Sequence, residues 1–418
     1  MTRIPVEEVA FHPHSFGDPA GRVFYWRGEL YRGVRQETAS FAAELVQGVL
    51  PRLAEKGLVP ATALTDLSLD GFDLVLRHQQ IPLAAYPTEW CALMLREAAL
   101  AYLDLRAALV ELDFGLKDVN PWNVVFDGPR PLFVDVMSIV PLAQTLALFS
   151  EERFCRFYLN PLLLMAYGHA PLARCLLAEH DGVDPAALAL LPRRSRPRRA
   201  LRRRPASTRD VYVDVLARLR REVAAVQPAL ATDRHVPRPE AAASAAAVAD
   251  ALERLRPETV LDLHTSSVAA ARLAADRDVR AVAFFTSDEA ANAAFVDARA
   301  ANRWLLPLVI DFTKPPGSVG YLDHYAIAAA DRLRCELVVA LEAVDHALLR
   351  RLTVEHLAAA VSSFSSKYAL VAHPPAESAP SQLAVRDDDF LRALRARFAD
   401  VSPFRSDGSA PRLLLCRK

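Results

Sequence analysis

Val260-Leu261-Asp262-Leu263-His264-Thr265-Ser266-Ser267-Val268 reads as a buried strand that runs into a turn. In nucleotide-binding α/β folds the turn at this point is rich in glycine, because a missing Cβ lets the backbone adopt positive φ and come close to a ligand. No glycine follows this strand, and Val268 is β-branched, a residue type that resists positive φ. The stretch predicts a nucleotide-binding architecture whose gripping feature has been altered.

Outward from it, strand patterns run over Thr259 to Leu263, Val279 to Phe285, Leu305 to Ile310, Leu337 to Leu341 and Tyr368 to Ala372, with helical patterns between them. That alternation predicts a doubly wound, Rossmann-like α/β sheet. Upstream, Gly21 to Arg32 reads as two short strands around a turn, and Thr38 to Lys56, Trp90 to Leu112, Val211 to Val226 and Ala241 to Leu255 read as helices. A break falls at Pro192-Arg193-Arg194-Ser195-Arg196-Pro197-Arg198-Arg199-Ala200-Leu201-Arg202-Arg203-Arg204-Pro205, where prolines oppose regular structure inside a dense basic run. The expected division is an N-terminal α+β kinase-like accessory domain over 1–191, an Arg/Pro-rich linker over 192–208 and a Rossmann-like α/β domain over 209–418. The basic run reads as a solvated linker; the functional alternative is a landing strip for an anionic partner such as a phosphopantetheine-bearing carrier protein.

At 418 residues, 52% hydrophobic and 24% charged, the chain can bury two or three cores. Its formal net charge of zero provides no global field for nucleic acid or an anionic membrane, so neither is an expected partner. Cys91, Cys155, Cys175, Cys335 and Cys416 are widely separated, which fits reduced thiols better than a zinc site or a disulfide framework. The acidic start and the absence of a long apolar run predict a cytoplasmic protein.

Two constellations carry chemistry. In Leu116-Lys117-Asp118-Val119-Asn120-Pro121-Trp122-Asn123, followed by Leu132-Phe133-Val134-Asp135, one Asp precedes an Asn by five residues and a second Asp ends the next strand. Kinase-like phosphotransferases use this order to orient a hydroxyl and hold magnesium on phosphates. No Gly-rich phosphate loop or strand Lys accompanies it, so the preferred reading is a loop tied down by side-chain to backbone hydrogen bonds.

The second constellation comes with a resemblance. Asp18 to Phe24, Ile81 to Trp90, Lys117 to Ser138 and Arg153 to Leu162 resemble the N-terminal extension of nodulation-type methyltransferases that use S-adenosylmethionine (SAM). Val260 to Leu263, Leu306 to Phe312 and Val338 to His346 are similar to that family's Rossmann-like core. The resemblance implies that Asp262 supports the cofactor turn from below, that Ser266 lies in that turn, that Thr286 stands where the family has a ribose-binding acid, and that Asp311 lies near the adenine or substrate. It implies further that Asp345-His346 replaces a paired His, that Ala372 replaces a Glu just before His373, and that Tyr321, Asp323 and His324 lie in a loop covering the site.

His346, with Asp345 as partner, and His264 are the candidate acid–base residues, since His titrates near neutral pH. The structural alternatives are a helix-capping Asp345 and a merely hydrogen-bonded His264. Tyr321, His324 and His373 are the candidate substrate contacts. With the turn altered, the resemblance to methyltransferase-family enzymes of natural-product pathways that no longer use SAM implies an enzyme of bacterial specialised metabolism that needs no cofactor and couples or transfers a group to a small polycyclic or conjugated acceptor. A SAM-dependent O- or N-methyltransferase and a silent scaffold are the alternatives. The N-terminal region is left with substrate recognition, lid formation or dimerisation.

Overall fold

The computed structural model describes residues 2–179, 181–192, 208–231, 239–265, 268–320, 325–343, 352–373, 387–405 and 412–418. It divides into two compact units. Unit 1 comprises 1–88, 92–228 and 319–326; unit 2 comprises 89–91, 229–318 and 327–418.

Unit 1 opens with an antiparallel sheet of β1 (Ala10–Phe11), β2 (Gly21–Trp26), β3 (Glu29–Val34), β4 (Thr62–Leu64) and β5 (Leu74–His78), in the order β1-β2-β3-β5-β4. Side chains alternate across a strand. Phe24, Trp26, Tyr31 and Val75 therefore share one face in a core with Ile4 and Leu69, while Val34 and Leu76 are buried alongside Arg32 and His78. Leu30 pairs with His78 and Arg32 with Leu76, which puts Arg32 and His78 on one side of the sheet.

Helix α1 (Ala92–Glu111) follows, then β6 (Phe114–Leu116) and the hairpin of β7 (Val124–Asp127) and β8 (Arg130–Phe133). Helix α2 (Arg209–Ala225), assigned by sequence to the C-terminal domain, belongs to unit 1. The reason lies in its partners. Arg106 of α1 is 1% exposed and donates to the Tyr212 hydroxyl at 2.5 Å, the Tyr102 hydroxyl at 2.6 Å and the Leu116 and Asp118 carbonyls at 3.0 and 3.2 Å. Arg220 pairs with Asp104 at 2.6 Å, and Arg218 with the buried Glu151 at 2.7 Å. The division therefore falls after Pro228, and residues 193–207 of the expected linker lie outside the described residues.

Unit 2 is built on a seven-stranded sheet of β9 (Thr259–Asp262), β10 (Arg280–Phe285), β11 (Leu305–Val309), β12 (Cys335–Ala340), β13 (Ser365–Ala372), β14 (Asp400–Arg405) and β15 (Leu413–Arg417). The order is β11-β10-β9-β12-β13-β15-β14. The first five strands are parallel, and β15 pairs antiparallel with both β13 and β14. This is a Rossmann-like doubly wound sheet, and its strand order reverses between β9 and β12. Helices α3 (Ala269–Ala275), α4 (Asp288–Ala300), α5 (Val354–Phe364) and α6 (Asp387–Arg395) follow β9, β10, β12 and β13. Val260, Leu261, Val282, Phe284, Leu306, Val338 and Val339 have no exposed surface, as strands buried on both faces require.

Both edge strands carry a proline, Pro307 and Pro403, where a missing N–H does least harm to the ladder. The β11 edge is covered by a segment distant in sequence. Trp90, with no exposed surface, forms an antiparallel bridge to Leu308. Beside it Glu89, also fully buried, forms a bidentate ion pair with Arg332, whose Nε donates to the Ile327 carbonyl at 2.8 Å.

Among the described residues no helix is long and apolar enough to cross a membrane.

Candidate functional site

In open α/β sheets, ligands bind beyond the carboxyl ends of the strands, at the point where strand order reverses. In unit 2 that point lies after Asp262 of β9 and Ala340 of β12. The two strands are in register, with Asp262 opposite Val339, and the Leu263 N–H donates to the Val339 carbonyl at 2.9 Å.

Asp262 is 4% exposed. Its carboxyl accepts from the Ala271 N–H of α3 and from the Thr265 hydroxyl, yet burial, followed by the charge of Glu342, pushes its pKa well above the ordinary carboxylate value. Thr265 carries the turn onward. Its Oγ1 accepts the Val268 N–H at 2.7 Å, and its own N–H donates to the Phe284 carbonyl at 3.2 Å. Asp262, Thr265 and Val268 thus form one hydrogen-bonded chain beneath the turn.

Val268 departs from expectation. It has φ 54° and ψ 17°, the left-handed conformation that a glycine would adopt without strain, and it starts α3. Thr265 holds its N–H, and the Val268 side chain is only 6% exposed, so packing and that hydrogen bond hold the residue there. The backbone cost for an L residue is about 1–2 kcal/mol. Comparing two variants tests this. In an ordinary helix Gly is about 1 kcal/mol less stable than Ala. At position 268 both variants lose the buried methyls but only Gly relieves the strain, so Val268→Gly should exceed Val268→Ala in stability by about 1 kcal/mol in urea unfolding. Ala as the more stable variant would contradict the left-handed placement.

His264 is partly buried, its ring centroid 6.0 Å from that of Phe312. Thr286 directly follows β10 and is exposed, while the next residue, Ser287, caps α4 by accepting the Ala290 N–H at 3.3 Å. Asp311 folds the chain after β11, its Oδ1 accepting from the Thr313 N–H at 3.0 Å and the Thr313 hydroxyl at 2.6 Å. His373 is 8% exposed, its ring 5.3 Å from Phe390 of α6 at 80°, and its N–H donates to the Arg412 carbonyl at 2.7 Å. That ring packs in the apolar layer under α6. The fold thus brings Asp262, His264, Thr286 and Asp311 to the same end of the sheet. Ser266, Tyr321, Asp323, His324, Asp345 and His346 lie outside the described residues.

Sequence reading missed Thr265 and Glu342. Thr265 had a signal, since a hydroxyl residue three positions before a helix start is a standard acceptor for a free N–H. Glu342 had none, because its relation to Asp262 depends on the pairing of β9 with β12.

In unit 1 the Asp118 loop is tied down as the sequence reading preferred. Asp118 Oδ1 accepts the Val119 N–H at 2.7 Å, its Oδ2 accepts Asn123 Nδ2 at 3.1 Å, and Asn120 Oδ1 accepts the Trp122 N–H at 3.1 Å. The loop residues Tyr321, Asp323 and His324, expected to cover the site, lie outside the described residues; Tyr325 after them belongs to unit 1, where it hydrogen-bonds Asn120 and its ring lies 5.0 Å from Trp122.

With this geometry in place, comparison with known proteins adds a partial relative. The chain is similar to a nodulation protein. Over 156 residues it is 33% identical to nodulation protein NoeA of Rhizobium meliloti (strain 1021), covering 36% of this chain and 32% of that protein. It therefore spans about a third of the length of the curated relative it matches. No family model matches the chain. Among solved structures it is similar to TehB from Haemophilus influenzae, at 13% identity and a TM-score of 0.30 over 41% of this chain and 61% of that one. Monomeric WbdD is similar at 14% identity and a TM-score of 0.31, over 45% and 42%.

Proposed function

We propose that unit 2 is the catalytic unit of a transferase with a methyltransferase-type fold that does not use SAM as its methyl donor. The observation that carries this reading is Val268: a buried side chain stands at the left-handed position where a cofactor-gripping turn would need bare backbone. Thr286 adds to it, since an exposed, uncharged residue replaces an acceptor for ribose hydroxyls. The residues present do not fit SAM in the manner the family resemblance implies.

On this reading the reaction is coupling or group transfer onto a small conjugated acceptor, carbon–nitrogen bond formation among the options. His264, together with Asp345 and His346, supplies acid–base chemistry. The setting is bacterial specialised metabolism, in the cytoplasm.

Isothermal titration with SAM and S-adenosylhomocysteine tests it. The expected result is no binding tighter than about 1 mM for the parent chain, equivalent to about −4 kcal/mol. Micromolar binding together with a methylated product would overturn the reading. One observation favours the SAM-dependent alternative: the backbone at Val268 still follows the glycine path. The Val268→Gly chain separates the two, because binding gained only in that variant identifies the side chain as what excludes the cofactor.

A further inference from the structure

Unit 1 leaves one guanidinium out of its charge pairing. Around the first strands Asp18 is paired with Arg32, Asp70 with Arg3, and Glu8 with Arg27 and the Trp26 indole N–H. Arg22 of β2 makes no ion pair and no hydrogen bond through its side chain among the described residues. Its Nε is buried, while the half-buried side chain carries the two terminal nitrogens out to solvent.

The surroundings hold this group in place. Arg22 stands two residues before Phe24, so it projects from the face of the sheet that carries Phe24 and Trp26, opposite Gly33 of β3. Its guanidinium carbon lies over the Phe11 ring, 4.1 Å from the centroid, and 6.0 Å from the centroid of Phe16. A guanidinium stacked on an aromatic face keeps its in-plane N–H donors for a planar acceptor. Phe16 is 55% exposed, yet the turn that carries it is fastened. Ser15, itself buried, accepts the Val23 N–H at 3.0 Å and donates from its hydroxyl to the His12 carbonyl at 2.8 Å, and the Phe16 N–H donates to the Pro13 carbonyl at 3.0 Å. Val23 adjoins Arg22 in β2, so the exposed ring is tied to the strand that bears the cation.

A partly desolvated cation without a counter-charge and a fixed, exposed aromatic ring therefore stand side by side. We propose that Arg22, Phe11 and Phe16 form a binding site for an aromatic carboxylate. The carboxylate accepts from both terminal nitrogens of Arg22, which Phe11 orients, and the ring of the ligand lies against Phe16. One guanidinium balances the single charge of a carboxylate. A phosphate dianion would call for a second cation, and Arg3, Arg27 and Arg32 are already paired. The site uses no residue of the Asp118 loop, belongs to unit 1 and does not depend on the reading of unit 2.

Fluorine NMR of para-fluorobenzoate, para-fluorobenzamide and trifluoroacetate, each titrated with the full chain, tests it. The benzoate signal should broaden with a Kd of about 1 mM, the range open to so small a ligand. The uncharged amide should bind about tenfold more weakly or worse, as expected for a lost charge-assisted contact, and trifluoroacetate, which has no ring, about threefold more weakly or worse. Arg22→Met, which keeps the length of the side chain against Phe11, should weaken benzoate binding about tenfold or more. Phe16→Ala, at an exposed position, should weaken it about threefold and serves as the readout if Arg22→Met fails to fold. No broadening of the benzoate, equal binding of the amide or of trifluoroacetate, or broadening left unchanged by both substitutions would overturn the proposal.

Discussion

Glu89→Gln should destabilise unit 2 by about 3–5 kcal/mol, because it leaves the Arg332 guanidinium buried without its counter-charge. The side chains of this pair are 0% and 5% exposed, and both carboxylate oxygens are engaged. A surface ion pair of the same geometry would contribute about 0–1 kcal/mol, screened by water and salt. The difference is desolvation: once out of water, each charge depends on the other. Trp90 has no exposed surface and adjoins the pair in sequence, so its fluorescence in a urea titration should follow the relevant transition. Replacing both partners, as in Glu89→Leu with Arg332→Met, should recover most of the loss, since an apolar pair leaves no charge uncompensated. A single-substitution loss below about 1 kcal/mol would mean that the pair behaves as if solvated.

Gly21→Ala should be the most damaging small substitution in unit 1. A Cβ at this position would lie 2.0 Å from the Gly33 carbonyl oxygen and 3.1 Å from the Val34 Cα. Those atoms are the backbone of β3, which pairs with β2 along its full length, so they cannot move aside as a side-chain tip can. Overpacking typically costs about 1–3 kcal/mol, and a clash with a hydrogen-bonded strand belongs at or beyond the top of that range. Thermal unfolding followed by circular dichroism should show unit 1 melting earlier. An alanine chain as stable as the parent would show that β2 and β3 lie farther apart than described. Gly28, at the hairpin turn, is a useful control: its φ is +81° but no atom lies within 4 Å of a Cβ, so its substitution strains the backbone without a clash.

The parallel strands of unit 2 were legible because strands buried on both faces read as unbroken apolar runs, and all five fall within a few residues of their expected limits. The closing pair, β14 and β15, was not read. Asp400-Val401-Ser402-Pro403-Phe404-Arg405 is an edge strand whose proline and polar residues mimic a loop. The domain boundary was misplaced because a composition break marks where the chain becomes irregular, not where its contacts change; Tyr212 and Arg220 lie beyond the break and still bind unit 1. At the site, the missing glycines were visible in sequence. Thr265 carried a local signal as a hydroxyl three positions before a helix start, but its link to the buried Asp262 and the charge of Glu342 beside it arise only from the folded turn and the pairing of β9 with β12.

The interleaving of the chain bears on how the protein can be dissected. A gene fragment encoding residues 229–418 would seem the natural way to isolate the α/β half, but it omits residues 89–91. Such a truncation would reproduce the Glu89 lesion and also uncover the backbone of Leu308, offering an open strand edge to other molecules. Precipitation of that fragment would reflect the missing tripeptide, not an unstable domain. Supplying residues 89–91 on a tether is the remedy that this architecture dictates.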